Sequence, residues 1–161
     1  MGIFDIFKSS KNENANPIFN SIGKFSLVEF DGTKNFKGNI NSNIGQNIEL
    51  LFPINGTEIS TYQTEYFKKI ENNWNSIINQ LKNLNSQIEF ENYKVVNIII
   101  PDKENEFYDM DAEIVFEKNG NIISAILTAL NVDEIIENWK TPADNMGFAR
   151  CGVEGNLREI F

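Results

Sequence analysis

The chain has 161 residues, 41% of them hydrophobic, with 13 Phe, a single Cys and no His. That length suits one ordinary domain able to bury a real core without disulfide staples. The missing histidines exclude Ser-His-Asp and Cys-His reaction centres, His-ligated metals and the usual proton shuttle near neutral pH, while a net charge of −9 argues against phosphate backbones and anionic lipid as partners.

Ile3, Phe4, Ile6 and Phe7 form a short apolar head in Met1 to Phe7, followed by the polar stretch Lys8 to Asn16. We read residues 1–16 as head and flexible linker, and residues 17–161 as a single α+β domain. The head is expected to form one or two helical turns that dock on the body or on a second copy, giving a homodimer, or more weakly on a membrane. It is too short to span a bilayer. No charged leader or long apolar run is present, so the expected location is cytoplasmic.

From Lys24 the spacing becomes that of strands: Phe25, Leu27 and Glu29 alternate with Ser26, Val28 and Phe30. Asp31-Gly32 marks a turn, Phe36, Gly38 and Ile40 predict a second strand, and Ile48, Leu50 and Phe52 a third, closed by Pro53. The three read as an antiparallel meander. Ser60 to Leu84 then places Tyr62, Tyr66, Phe67, Ile70, Trp74, Ile77, Ile78, Leu81 and Leu84 at three- and four-residue steps. This predicts one long amphipathic helix, opened by a capping box of Ser60 and Gln63 and packed against the sheet.

Tyr93 to Ile100 is a β-branched run ended by Pro101, as expected of a central strand buried on both faces. Ala112 to Glu117 alternates, and Asn119-Gly120 then precedes the apolar stretch Ile122 to Leu130, a strong hairpin signal. Asn131 with Glu134 has the form of a second capping box. It predicts a short helix holding Ile135, Ile136 and Trp139 and ending before Pro142. Gly147, Gly152 and Gly155 break any long period in Ala143 to Phe161.

The most uneven feature is charge: between Glu89 and Glu117 nine acids face only Lys94 and Lys103. Asp102, Glu104, Glu106, Asp109, Asp111 and Glu113 are therefore the candidate partner-binding residues, the last three pointing to one side if they lie on an extended strand. Such a surface attracts a basic protein. Its plainer reading is a solvated loop that keeps the chain soluble. Calcium is disfavoured, because an EF-hand register from Asp102 puts Phe107 where the loop needs Gly. Cys151 has no histidine base and no resolving partner, so no catalytic residue, metal or cofactor is expected. The glycines match neither phosphate-cradling pattern, and Asn55-Gly56-Thr57 reads as a turn.

The order Asn16-Pro17-Ile18-Phe19, Gly23, Asp31-Gly32, Phe36-Lys37-Gly38, a strand at Ile48 to Phe52 and a helix entered through Thr61-Tyr62-Gln63 resembles a family of small uncharacterised bacterial domains. Some of its members are regarded as immunity proteins beside secreted toxins. The resemblance covers residues 16–130 and brings no catalytic residue with it. It implies a non-enzymatic interaction module whose acidic surface meets a basic partner such as a toxin. The alternative is a small-ligand binder or carboxylate-dependent enzyme with a pocket between the sheet and the carboxyl-terminal segment.

Overall fold

Strands dominate the described residues. The structure is a computed structural model that describes residues 18–30, 32–105 and 108–137. The strands run β1 (Ile18–Phe19), β2 (Lys24–Phe30), β3 (Thr33–Ser42), β4 (Gly45–Pro53), β5 (Lys94–Ile99), β6 (Ala112–Lys118), β7 (Asn121–Thr128) and β8 (Asn131–Glu137). Between β4 and β5 lie helices α1 (Thr61–Asn72) and α2 (Trp74–Leu84) and the 3-10 turn Phe90–Asn92. β2 to β8 are neighbours in sequence order, and the two-residue β1 pairs with β2 at one edge.

The sheet is mixed, which corrects the expected antiparallel sheet. β4 and β5 run parallel, with Leu50 opposite Ile98 and Leu51 opposite Ile99. The cause is the helical connection: it returns the chain to the end from which β4 started, and a strand entered there can only run alongside β4. All other neighbours are antiparallel.

The single long helix is also corrected, to two short ones. The Ser60–Gln63 capping box opens α1 as expected. At Asn73, however, φ is −110°, and the side-chain Nδ2 donates to the Lys69 carbonyl at 2.8 Å. A side chain competing for an i−4 carbonyl bends the rod there. The apolar stripe survives the bend: Tyr66, Phe67, Ile70, Ile77 and Leu81 are buried, while Leu84 is exposed.

The third correction concerns Asn131 to Glu137, expected as a helix and found as β8 paired with β7. Ile126 faces Glu134 and Ser124 faces Ile136 across that pair. The free edge of β7 offers a whole row of backbone donors and acceptors, and satisfying them outweighs a local helix signal of seven residues. Trp139 and Pro142 lie outside the described residues, as do the head and linker, Glu106 and the tail with Cys151.

One core joins helices and sheet. Phe25, Phe36, Leu50, Phe52, Ile98, Ile114, Phe116 and Ala125 meet Phe67, Ile70, Ile77 and Leu81. Phe25 and Phe52 approach at 5.3 Å, and Phe90 meets Phe116 edge-on at 5.5 Å. Among the described residues no helix is long and apolar enough to cross a membrane.

Candidate functional site

The first turn of α1, the loop after β5 and the β7–β8 turn converge at one end of the sheet. Their side chains enclose a cleft of about 260 Å³ lined by Tyr62, Asp102, Lys103, Asn105, Tyr108, Asp109, Asp111 and Thr128. Two of the acids are built into the scaffold. Asp102 Oδ1 accepts from Ser60 Oγ at 2.8 Å, tying the loop to the α1 cap. Asp111 Oδ2 accepts from the Ala129 amide at 2.7 Å.

That second bond serves a demanding turn. Ala129 and Leu130 both adopt the left-handed region, at φ 51° and 65°, where an L side chain costs about 1–2 kcal/mol each. Three groups hold the turn closed: Asp111 on Ala129, the Tyr66 hydroxyl accepting from Leu130 N at 3.0 Å, and Gln80. Gln80 donates to Leu130 O at 3.2 Å and accepts from Val132 N at 2.8 Å. Neutral and charge-assisted hydrogen bonds worth roughly 1 kcal/mol or more each offset the strain.

The phenols of Tyr62, in the cleft, and of Tyr66, at the β7–β8 turn, are both raised, burial being the largest cause for each. Burial raises the Tyr62 hydroxyl above its ordinary 10.0, helped by the charge of Asp111, by a hydrogen bond to it and by the charge of Asp102. Tyr66 is pushed up to about 12, chiefly by burial and only partly countered by the Leu130 amide. A phenol whose native pKa is raised stabilises the fold fully below the unfolded value of 10 and loses that contribution as pH climbs through 12. Stability is therefore expected to fall between pH 10 and 12. In Tyr66→Phe that alkaline loss should be smaller, while at pH 7 the variant should be weaker by about 1 kcal/mol for its lost acceptor. Urea midpoints of both proteins across pH 8–12 measure this; parallel curves would refute it.

The predicted acidic residues are thus only partly brought together. Asp102, Asp109 and Asp111 line the cleft, and Asp109 is its exposed acid. Glu104 is exposed beside a different depression, with Lys34 and Asn55. Glu113 lies in β6, in register with Ile99, and is 2% exposed with its side chain engaged. Glu106 lies outside the described residues. Asp109 and Asp111 precede β6, so the two-residue alternation does not carry them to one side with Glu113.

Tyr62 was missed as a site residue because the stripe it opens reads as core, and Tyr108 because charge drew attention only to the acids around it. Only the folding of the 101–111 loop over the α1 cap makes them cleft walls. Among the described residues no cluster of three or more Asp, Glu, Cys or His is placed to hold a metal.

A larger depression of about 620 Å³ opens between α2 and the sheet, lined by Trp74, Ile78, Phe90, Tyr93, Val95 and Phe116. Trp74 stacks on Phe116 at 6.1 Å, and Lys118 sits over the Tyr93 ring at 5.7 Å. Lys82 and Glu91 form an ion pair at its rim, and the hydrogen bond from Lys82 holds the Glu91 carboxyl below its ordinary range. Its floor is closed apolar surface, since Phe90 and Phe116 are buried. Comparison with known proteins gives no matching family model, no matching curated protein and no matching solved structure.

Proposed function

We propose that this protein is a non-enzymatic interaction module that receives a lysine or arginine side chain of a basic protein partner in the cleft of Asp102, Asp109 and Asp111. The observation that carries the reading is the gathering of three carboxylates around one opening walled by Tyr62 and Tyr108. A cation there would meet negative charge beside tyrosine side chains. The overall charge of −9 adds long-range attraction that speeds encounter with a basic surface. The toxin-neutralising role implied by the immunity-type resemblance fits this chemistry, with the protein acting in the cytoplasm on a toxin's cationic surface.

The test separates recognition from scaffold. Asp102 and Asp111 hold helix cap and backbone, so they are left intact; Asp109→Asn is the test variant, and Glu104→Gln, beside the other depression, is the control. Titrating the full chain with an arginine-rich peptide should shift NMR signals at Asp109, Tyr108 and Thr128. Asp109→Asn should bind about two- to fivefold more weakly, the equivalent of roughly 0.5–1 kcal/mol for an exposed charge, with a shallower salt dependence, while Glu104→Gln changes affinity less. Shifts scattered evenly over the surface, or unchanged affinity in the variant, would overturn the proposal.

A further inference from the structure

The face of the sheet turned away from the helices is closed to solvent without a described layer over it. Alternation puts Val28, Leu51, Ile99 and Val115 on this side, opposite the core residues Leu27, Leu50, Ile98 and Ile114. Their exposures are 0%, 0%, 2% and 1%. Among the described residues the apolar side chain packed against Leu51 and Ile99 is Met110. One residue does not seal a patch that crosses β2 to β6. Two buried amides on the same face strengthen the point: Asn35 and Asn97 are each 1% exposed, and the Oδ1 of each has no hydrogen-bond partner. Buried acceptors of this kind call for donors from whatever lies above them.

We propose that the chain's own amino-terminal head, through Ile3, Phe4, Ile6 and Phe7, is the occupant of this face. Its apolar size matches: four large side chains meet four aliphatic ones. Its reach also suffices. The nine residues Lys8 to Asn16 span up to about 30 Å when extended, and β4 lies only about 14 Å from β1 across three strand spacings. The chain enters the sheet at the β1–β2 edge, and β2 carries Val28, the first residue of the patch.

The experiment uses the full chain. A nitroxide is attached through Asp5→Cys in a Cys151→Ser background, and methyl signals are followed. The expected result is strong broadening at Val28, Leu51, Ile99 and Val115, with Ile70, Ile77 and Leu81 on the helix side unaffected. A second variant, Phe4→Ser with Phe7→Ser, should shift those second-face methyls and raise binding of a hydrophobic dye while the helix-side signals stay in place. Broadening absent from the second face would overturn the proposal. So would broadening transferred between labelled and unlabelled molecules, which assigns the face to a second copy. A label on Cys151 that broadens the same methyls while the Phe4→Ser, Phe7→Ser protein keeps them unshifted would also overturn it, assigning the face to residues 138–161.

Discussion

Replacing Gln63 by Leu is expected to destabilise the fold by roughly 4 kcal/mol, a large share of the ~5–15 kcal/mol that a domain of this size possesses. Gln63 is fully buried. Its Nε2 donates to Pro53 O at 2.7 Å and to Ile100 O at 2.9 Å, and its Oε1 accepts from Ser60 N at 3.0 Å. One amide thus fastens the exits of the two parallel strands to the start of α1. Leucine fills the volume and satisfies none of these groups, and each buried orphan costs about 1–3 kcal/mol. The urea midpoint should drop steeply with an unchanged slope. A loss below about 1 kcal/mol would show that the clamp contributes little.

Gln63→Glu sharpens the same test. The carboxylate still caps Ser60 but presents lone pairs to the Pro53 and Ile100 carbonyls. Ionisation is therefore disfavoured in the native state and the folded pKa is raised, so stability should be lost as pH rises and return as the group is protonated. No such pH dependence is expected of the leucine variant.

Gly38→Ala should be nearly as damaging. A Cβ at Gly38 would stand 2.3 Å from the Lys24 carbonyl oxygen and 2.8 Å from Phe25 Cδ1. The first neighbour is backbone, so relief requires β2 and β3 to part near one end of their ladder, dragging Phe25 away from Phe52. A cost of about 3 kcal/mol is expected, at the upper end of overpacking. Gly56→Ala is the control, because its Cβ would meet nothing within 4 Å. It should lie within about 0.5 kcal/mol of the parent. Equal effects at the two positions would refute the steric argument.

The scaffold would also set the cost of the recognition proposed above. Of the three acids in the cleft, Asp102 and Asp111 already serve the α1 cap and the β7–β8 turn. Their positions are thereby preorganised, so the proposed cation would order little side-chain freedom there. Asp109, exposed, is the cleft acid whose substitution should disturb the fold least.

How much was legible in the residues follows from the range of each interaction. The Asn119-Gly120 turn is found at φ 52° and 87°, the conformation this dipeptide prefers, and it joins β6 and β7 as read. The Ser60–Gln63 capping box and the buried run ending at Ile100 were equally plain, because each is written within a few neighbours. The turn at Ala129 and Leu130 has no such signature. Neither residue favours the left-handed region, and the groups that impose it, Tyr66, Gln80 and Asp111, come from three distant segments.

Periodicity and turn chemistry alone therefore determined that strands and an amphipathic helical stripe would form, and, Leu84 apart, which residues of that stripe would pack against the sheet. Only the tertiary structure decided that β4 and β5 run parallel, that 131–137 joins β7 as a strand, and that Glu113 turns into a closed face while Asp109 stays at an open cleft. The physical reason is that local patterns report what a segment can bury. Its direction, its partner and the solvent exposure of its polar groups depend on backbone hydrogen bonds and contacts closed across dozens of residues.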